Sequence, residues 1–246
     1  LSLALAAIML IGMMVVSASA TGLDDFSDKD KVVNKDAVSM LTTLGVINGK
    51  EDGSYFDPTG NVTRAEMAKM LCVAINGGVD PVLGVKDTPT FTDIKGHWAE
   101  SYIEYCAANG IIAGRGNNKF DPTGTVSATE AAKMLLGVLG YNAEKSGLVG
   151  NDWAINTNVL ANQNGLYKNL ANLNANTLLT RDNAAQMIYN ALDANMVELN
   201  AAGNYTTSQY SYTGTESVVT GTERVWVVKI KDSSVNDAIK ALDGSV

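Results

Sequence analysis

Residues 62–71 read Val-Thr-Arg-Ala-Glu-Met-Ala-Lys-Met-Leu, and a close copy, Val-Ser-Ala-Thr-Glu-Ala-Ala-Lys-Met-Leu, follows at residues 126–135. A looser copy, Leu-Thr-Arg-Asp-Asn-Ala-Ala-Gln-Met-Ile, occupies residues 179–188. In the first two copies a Thr or Ser is followed three residues later by Glu, which is the pattern of a capping box at a helix start. Apolar residues at helical spacing come next. Three copies of one helix start predict a repeat protein.

A second helix is predicted upstream of each copy. In the first repeat the apolar spacing predicts a helix over residues 32–44, followed by Gly45 in the position of a left-handed C-cap. We expect its buried face to consist of Val33, Ala37, Val38, Leu41 and Leu44. A glycine-containing loop and an Asp-Pro-Thr-Gly turn at residues 57–60 then lead into a helix that begins at the Thr63 cap and ends near residue 75.

The second and third repeats follow the same plan with decreasing fidelity. The second repeat predicts helices over residues 98–109 and 127–139. The third keeps the spacing from its Trp to its Gly but has lost the Phe-Asp-Pro turn, and its second helix is predicted over residues 181–192. Beyond it, residues 224–231 have the composition of a strand and residues 237–242 that of a helix start.

The N-terminal stretch is apolar and uncharged and ends Ala-Ser-Ala, which favours a secretory signal peptide over an uncleaved membrane anchor. It begins without Met or a basic segment, so we expect the N-terminus to be truncated. No stable membrane span is expected after cleavage. The predicted organisation is a signal peptide over 1–20, repeats over 24–79, 91–142 and 143–195, a linker over 80–90 between the first two repeats, and the start of a further, truncated region over 196–246.

Composition excludes several functional classes. The chain of 246 residues has a formal net charge of -8 and no cluster of basic residues, so a nucleic-acid partner is not expected. No hydrolase elbow, zinc motif or phosphate loop occurs, which predicts no catalytic residues and no cofactor. The acidic residues around Asp28 lack the spacing of a calcium loop, so we expect a solvated acidic face and no metal site. Cys72 and Cys106 are either a disulfide or, more commonly in helices, buried free thiols.

The ordered set of motifs resembles the S-layer homology module. A helix, a Gly-Ile-Ile-x-Gly loop, a Phe-x-Pro turn and a Thr-Arg-Ala-Glu helix start recur behind an apparent signal peptide. The resemblance implies a mainly α fold, in which three tandem helix-loop-helix repeats form a pseudo-trimeric, three-pronged bundle. The start of a β-containing region follows. Mutual support between repeats is also physically required, because a lone helix pair buries too little surface to be stable.

The same resemblance implies a function at the cell surface. Modules of this family bind secondary cell-wall polysaccharide, which often carries a pyruvate ketal, in grooves between neighbouring repeats. This contact would anchor an exported protein non-covalently to the wall of a Gram-positive bacterium. The matching positions, taken as candidate polysaccharide-binding residues, are Arg64, Arg181, Gly49, Gly114, Trp98 and Trp153.

Each candidate residue type suits a sugar that carries a carboxylate. A guanidinium pairs with a carboxylate through two parallel hydrogen bonds, and free N–H groups at a helix start also favour an anion. Glycine permits close approach of the backbone to a ligand. A Trp either stacks on a sugar ring or simply packs. Ala128 replaces the Arg in the second repeat, which makes that groove doubtful, and Asp182 is expected to place an acidic group beside Arg181.

Two other functions are kept as alternatives. The repeats could instead assemble with other copies as subunits of an S-layer lattice, with polysaccharide binding residual. A surface enzyme acting on polysaccharide is the least favoured alternative, because no catalytic motif occurs in the sequence. It stays an alternative because paired carboxylates for glycoside hydrolysis are defined by their spatial separation, which the sequence does not give.

Overall fold

A computed structural model describes residues 22–51, 53–170, 173–174, 176–207, 212–220 and 223–230. For residues 207, 212–220 and 223–230 only the backbone is described. The predicted signal peptide and the helix start predicted over 237–242 lie outside these residues. Within the described segments, no helix is both long enough and apolar enough to cross a membrane.

The described residues form a mainly helical structure followed by two β-hairpins. The α-helices are α1 Lys35–Thr43, α2 Arg64–Ile75, α3 Glu100–Ala108, α4 Ala128–Val138, α5 Trp153–Gln163 and α6 Arg181–Asp193. Two short 3-10 helices, Leu23–Asp25 and Lys29–Lys31, precede α1. The strands β1 Val197–Leu199 and β2 Tyr205–Thr207 pair antiparallel, as do β3 Tyr212–Thr220 and β4 Glu223–Ile230. The fold class and the strand predicted over 224–231 are thereby confirmed.

The predicted capping boxes are confirmed at α2 and α4. At α2 the Thr63 hydroxyl accepts a hydrogen bond from the Glu66 N–H at 3.2 Å, and the Glu66 carboxylate accepts one from the Thr63 N–H at 2.8 Å. Ser127 and Glu130 make the same pair of contacts at α4. At α6 Thr180 still caps the helix, without the return bond from a carboxylate. These caps explain why the second helix of each pair starts where the sequence predicts.

The first helix of each of the first two repeats begins later than predicted. Val33 was expected on the buried face of α1, but it precedes the helix and is 82% exposed. Asn34 is the N-cap, and its backbone N–H and side-chain amide donate to the Asp182 carboxylate at 3.1 and 2.7 Å. This contact fixes where α1 starts. It involves a residue that is distant in sequence, so the local apolar periodicity could not predict it. Likewise α3 starts at Glu100 and not at residue 98.

A closed ring of hydrogen bonds joins the segments that lead into α2, α4 and α6. The Val62 N–H donates to the Leu179 carbonyl at 2.9 Å, the Leu179 N–H to the Val126 carbonyl at 2.8 Å, and the Val126 N–H to the Val62 carbonyl at 3.0 Å. All three side chains are fully buried. The ring gives the molecule its pseudo-threefold centre, with three second helices starting around it.

The first helix of each repeat packs against the second helix of another repeat. Helix α3 packs on α2, α5 on α4 and α1 on α6, while α4 lies between α2 and α6 at the centre. Each prong therefore combines two repeats, and the pairing of α1 with α6 closes the circle. No single repeat buries its own apolar faces, which is why the three helix pairs form one unit.

The first hairpin is attached to the helical body. The Val197 N–H donates to the Leu139 carbonyl at 2.7 Å, and the Tyr205 hydroxyl accepts a hydrogen bond from the Asn142 N–H at 2.8 Å. Gly140 allows this approach, because a Cβ atom there would lie 2.0 Å from the Val197 carbonyl oxygen. Hairpin β1–β2 thus extends the helical body beyond the third helix pair.

The two cysteines face one another without a covalent bond. Cys72 on α2 and Cys106 on α3 are free thiols and both are buried. They are close enough that each changes the titration of the other: contact with the Cys72 thiol, together with burial, raises the pKa of Cys106. Of the two states left open by the sequence, this structure contains the free thiols.

Candidate functional site

Arg64, the first residue of α2, lies between the first and second repeats. Its side chain is only 3% exposed, its Nε donates to the Phe120 carbonyl at 2.7 Å, and its Nη2 donates to the Ala113 carbonyl at 2.7 Å. The guanidinium also lies over the Phe120 ring, 4.3 Å from the centroid. Arg64 therefore braces the loop of the second repeat against the helix of the first.

Arg181 makes the same contacts between the third and first repeats. It is 5% exposed and donates from Nε to the Phe56 carbonyl and from Nη2 to the Asn48 carbonyl, each at 2.8 Å. Burial lowers the pKa of Arg64 to about 10 and also lowers that of Arg181, and neighbouring carboxylates partly offset the effect. Arg64 therefore remains charged at neutral pH.

The expectation of free N–H groups at these helix starts is wrong. The first two N–H groups of α2 and α6 donate to carbonyls in the turn of a neighbouring repeat, and the third is bound by the capping hydroxyl. The distances are 2.8 Å for Arg64 N to Gly124 O, 3.0 Å for Ala65 N to Pro122 O, 2.9 Å for Arg181 N to Gly60 O and 3.2 Å for Asp182 N to Pro58 O. These donors hold the repeats together and are not available to an anion.

Gly49 and Gly114 are needed by their own loops. A Cβ atom on Gly49 would lie 2.5 Å from the Gly53 carbonyl oxygen. On Gly114 it would lie 2.6 Å from the Lys119 carbonyl oxygen and 2.8 Å from the Phe91 ring. The missing side chain thus allows a tight loop, a physical reason different from the ligand approach expected from sequence.

The residue after each of these glycines supplies a second cation that sequence reasoning missed. Arg115 contacts the Glu130 carboxylate at 2.7 Å and the Asp121 carboxylate at 2.6 Å. Lys50 contacts Glu66 at 3.0 Å in the same way. The signal was available, because both cations directly follow a glycine that aligns between repeats. The capping glutamates therefore have a second role, which is to hold a partly exposed cation.

A lysine and aromatic rings lie one helical turn further along. The Lys133 ammonium, three residues after Glu130 on α4, is 5.1 Å from the centroid of the Trp153 ring. The Lys69 ammonium on α2 is 5.3 Å from the centroid of Tyr102, which stands 6.5 Å from the ring of Trp98. Trp98 is 56% exposed, so its ring is not part of the core.

The structure thus sorts the six candidate residues into two matched sets. We define the Arg64 groove by Arg64, Gly114, Arg115, Glu130, Lys133 and Trp153. We define the Arg181 groove by Arg181, Gly49, Lys50, Glu66, Lys69, Tyr102 and Trp98. In the Arg64 groove the Arg64 Nη1 also lies 3.5 Å from the Glu130 carboxylate.

The third position around the ring is built differently. Ala128 is buried, and its N–H donates to the Thr177 carbonyl at 2.9 Å. Next to Ala128, the Tyr167 hydroxyl donates to the Asn158 amide oxygen at 2.6 Å, and the Asn158 amide donates to Thr129 at 3.1 Å. Among the described residues, the start of α4 therefore has no arginine equivalent to Arg64 or Arg181.

Asp182 does not place its charge beside Arg181 as expected. Its buried carboxylate accepts the two hydrogen bonds from Asn34 described above, which tie α6 to the start of α1. Burial raises the pKa of Asp182, while the bonds from Asn34 oppose that rise. The residue is therefore part of the interface between the third and first repeats.

Comparison with known proteins identifies the repeats. The family model described as the S-layer homology domain matches residues 25–68 and 90–132. The third helix pair, which completes the ring, lies outside both matched segments. Among the described residues, no group of three or more His, Cys, Asp or Glu side chains is arranged to hold a metal ion.

Several similar proteins come from bacterial cell surfaces. The chain is 32% identical over 111 residues to an S-layer protein of Bacillus licheniformis, covering 45% of this chain and 12% of that protein. It is 31% identical over 186 residues to the surface-layer 125 kDa protein of Lysinibacillus sphaericus, covering 70% of this chain and 15% of that protein. A third relative, the exoglucanase XynX of Acetivibrio thermocellus, is 29% identical over 156 residues, covering 59% of this chain and 14% of the enzyme.

The names of these relatives differ in activity, since two are surface-layer proteins and one is an exoglucanase. The chain spans only 12% to 15% of the length of the three relatives. The matched domain and the S-layer relatives indicate a secreted protein of the cell surface or cell wall, with a role in surface anchoring or in the S-layer. The chain thus carries the S-layer homology domain at two segments, residues 25–68 and 90–132.

Proposed function

We propose that this protein is anchored non-covalently to a Gram-positive cell wall by binding secondary cell-wall polysaccharide that carries a pyruvate ketal. The supporting observation is the duplication of one charged and aromatic framework in the Arg64 and Arg181 grooves. A pyruvate ketal presents a carboxylate on a sugar ring, so its binding site requires cations beside an apolar or aromatic surface. Both grooves provide this combination.

The residues of each groove have different roles in this proposal. Arg64 and Arg181 form the floor of the two grooves, because two donors of each guanidinium are already hydrogen-bonded to loop carbonyls. The more exposed cations, Arg115 and Lys50, are held by the capping glutamates and add positive charge that attracts an anionic ligand. Gly49 and Gly114 shape the loops, and Trp98 and Trp153 offer ring faces for the sugar.

The named relatives favour anchoring as the shared task. S-layer proteins, an exoglucanase and a cell wall amidase all match this chain. Because the named activities differ, the segment they share with this chain is not expected to carry any one of those activities. We therefore infer that the repeats themselves are a binding module without catalytic residues.

The test is retention of the full chain on purified Gram-positive wall sacculi. One portion of sacculi is left intact, one is treated chemically to remove the polysaccharide, and one is treated with mild acid to remove only the ketal. We expect binding to the intact sacculi alone. Equal retention on all three preparations would show that the wall contact does not involve this polysaccharide.

The second candidate function is self-assembly as an S-layer lattice subunit, which the S-layer relatives favour. It predicts ordered assembly of the purified chain in the absence of any wall material. Light scattering and electron microscopy of the soluble protein test this directly. A monodisperse protein that binds sacculi would favour anchoring over the lattice.

The enzyme hypothesis rests on the relatives that are enzymes. We propose that the described part of this chain does not hydrolyse polysaccharide. The measurement is the release of reducing ends from purified wall glycan incubated with the full chain. Release above that of a heat-inactivated sample would revive an enzymatic function.

A further inference from the structure

The two grooves share a framework but differ in how one lysine is compensated. Lys133 in the Arg64 groove and Lys69 in the Arg181 groove occupy equivalent positions, three residues after the capping glutamate. Side chains at this spacing lie on the same face of a helix. Each lysine also lies over an aromatic ring of the helix that packs against its own.

In the Arg181 groove a carboxylate from the linker neutralises the lysine. The Lys69 ammonium lies 3.0 Å from the Asp80 carboxylate, which also accepts a hydrogen bond from the Tyr102 hydroxyl at 2.6 Å. Asp80 belongs to the segment that connects the first two repeats. The linker therefore places its own carboxylate at the aromatic side of this groove, in contact with the cation.

In the Arg64 groove the equivalent lysine has no such partner. Within the described part of the chain, no carboxylate lies within ion-pair distance of Lys133, whose contact is with the face of Trp153. Burial lowers the pKa of Lys133, and the nearby charge of Arg64 adds a smaller repulsion that lowers it further. An anion bound here would relieve that repulsion.

The remaining charges of the two grooves match. Each has an arginine at its base, a second cation after the glycine, a capping glutamate and the aspartate of the turn. With Lys133 included, the Arg64 groove has three cations and two carboxylates. With Lys69 and Asp80 included, the Arg181 groove has three cations and three carboxylates. The net difference of one charge comes from Asp80.

We propose that the Arg64 groove is the main site for a carboxylate-bearing sugar, with Lys133 as a binding residue, and that Asp80 weakens the Arg181 groove by occupying Lys69. This inference rests on the proposed function, since it assigns the ligand carboxylate to one of the two grooves. The sugar ring lies against Trp153 while its carboxylate pairs with Lys133. Asp80 acts as an internal competitor in the other groove.

The probe is a methyl hexopyranoside with a 4,6-linked pyruvate ketal, and its uncharged methyl ester is the matched ligand control. Binding to the full chain is measured by titration calorimetry, with circular dichroism to confirm that each variant is folded. We expect Lys133→Gln to weaken binding at least ten-fold. Lys35→Gln, which removes a lysine on α1 outside both grooves, controls for the loss of one positive charge.

Substitution of Asp80 tests whether its carboxylate competes with the ligand carboxylate for Lys69. Asp80→Asn removes the charge but keeps an oxygen that accepts the Tyr102 hydrogen bond. Because exposed ion pairs are weak, we expect it to strengthen the second site by about three- to ten-fold, which makes a second equivalent of ligand measurable. Adding Lys69→Gln to Asp80→Asn should return the stoichiometry to one.

The outcomes separate this inference from the proposed function. Binding by the wild-type chain that is unaffected by Lys133→Gln, or a stoichiometry of two before Asp80 is changed, would overturn the assignment while leaving polysaccharide binding intact. No binding of the ketal, or equal binding of its methyl ester, by every variant would overturn both.

Discussion

At the scale of single residues, the most informative side chains are Asp28, from the predicted acidic face, and Asp93, its equivalent in the second repeat. The Asp28 carboxylate accepts hydrogen bonds from the N–H groups of Phe56 and Asp57 at 2.8 and 2.9 Å. Asp93 binds the equivalent turn of the second repeat at 2.9 and 2.8 Å. Asp57 adopts a φ of 60°, which is unfavourable for a residue other than glycine. These aspartates therefore stabilise a strained turn, and the expectation that Asp28 is merely solvated is wrong.

Removal of one such aspartate should destabilise the fold. We expect Asp93→Ala to lower the free energy of unfolding by about 1–3 kcal/mol, since two backbone donors lose a charged acceptor. Although burial alone would raise it, the two donors hold the pKa of Asp93 below its ordinary value. Urea unfolding of the variant measures the loss. Asp87→Ala, at an exposed linker position, is the control and should change stability by less than about 0.5 kcal/mol.

At the scale of elements, the starts of α2 and α6 connect repeats through both backbone and side chain. The arginine motif that suggested a ligand site also braces a neighbouring loop through two carbonyls. Sequence predicted the helix starts because capping depends on residues three positions apart. It did not predict the brace, because the acceptors Phe120 and Ala113 are 56 and 49 residues away from Arg64.

The brace predicts that Arg64 tolerates substitution poorly even by another cation. Arg64→Lys should cost about 2–4 kcal/mol, because a lysine cannot reproduce the two directed donors and leaves a buried carbonyl unpaired. Thermal unfolding followed by circular dichroism tests this. Arg115→Lys makes the same chemical change at a partly exposed site and should cost less than about 1 kcal/mol. Equal losses for the two variants would contradict the assigned role.

At the scale of the whole molecule, the circular pairing of helices makes the three helix pairs interdependent. The closed hydrogen-bond ring requires Val62, Val126 and Leu179 together, and α1 packs on α6 from the opposite end of the helical region. The third pair departs most from the repeat pattern and lies outside the matched family segments. It is nevertheless the partner that closes the structure.

A chain that stops after residue 170 should therefore fail to fold as a monomer. It would lack α6, expose the buried face of α1 and leave Val62 and Val126 with one ring hydrogen bond each instead of two. We expect loss of the cooperative thermal transition and association in size-exclusion chromatography with light scattering. A monomeric, cooperatively folded product would mean that two helix pairs suffice.

Acidification should destabilise the molecule. Hydrogen bonds and nearby cations keep the pKa of Glu66 and of Glu130 below 4.5, their ordinary value, despite burial. A lowered pKa in the folded state contributes stability above the unfolded value, and this contribution is lost as the pH falls through the folded value. Asp182 changes the stability in the opposite direction. Its pKa is raised in the folded state, so its contribution to stability is lost as the pH rises through the folded pKa.

More carboxylates have a lowered pKa than a raised one. We therefore expect the free energy of unfolding to decrease as the pH drops below about 4.5. Urea unfolding across pH 3 to 7 measures this dependence. Glu130→Gln should lower the free energy of unfolding at pH 7. It should also make that free energy depend less steeply on pH in the acidic range. A variant with the wild-type pH dependence would show that Glu130 does not contribute to it.

The sequence by itself determined the repeat, the helix caps, the turns and the family resemblance, because each depends on residues a few positions apart in one helix or turn. It also named six residues that fall into the two grooves. Only the tertiary structure decided that α1 pairs with α6, that Arg64 and Arg181 are buried braces, and that Asp80 reaches Lys69. Those outcomes depend on contacts between segments that are distant in sequence. The positions of these segments are set by packing around the hydrogen-bond ring of Val62, Val126 and Leu179, and not by local sequence pattern.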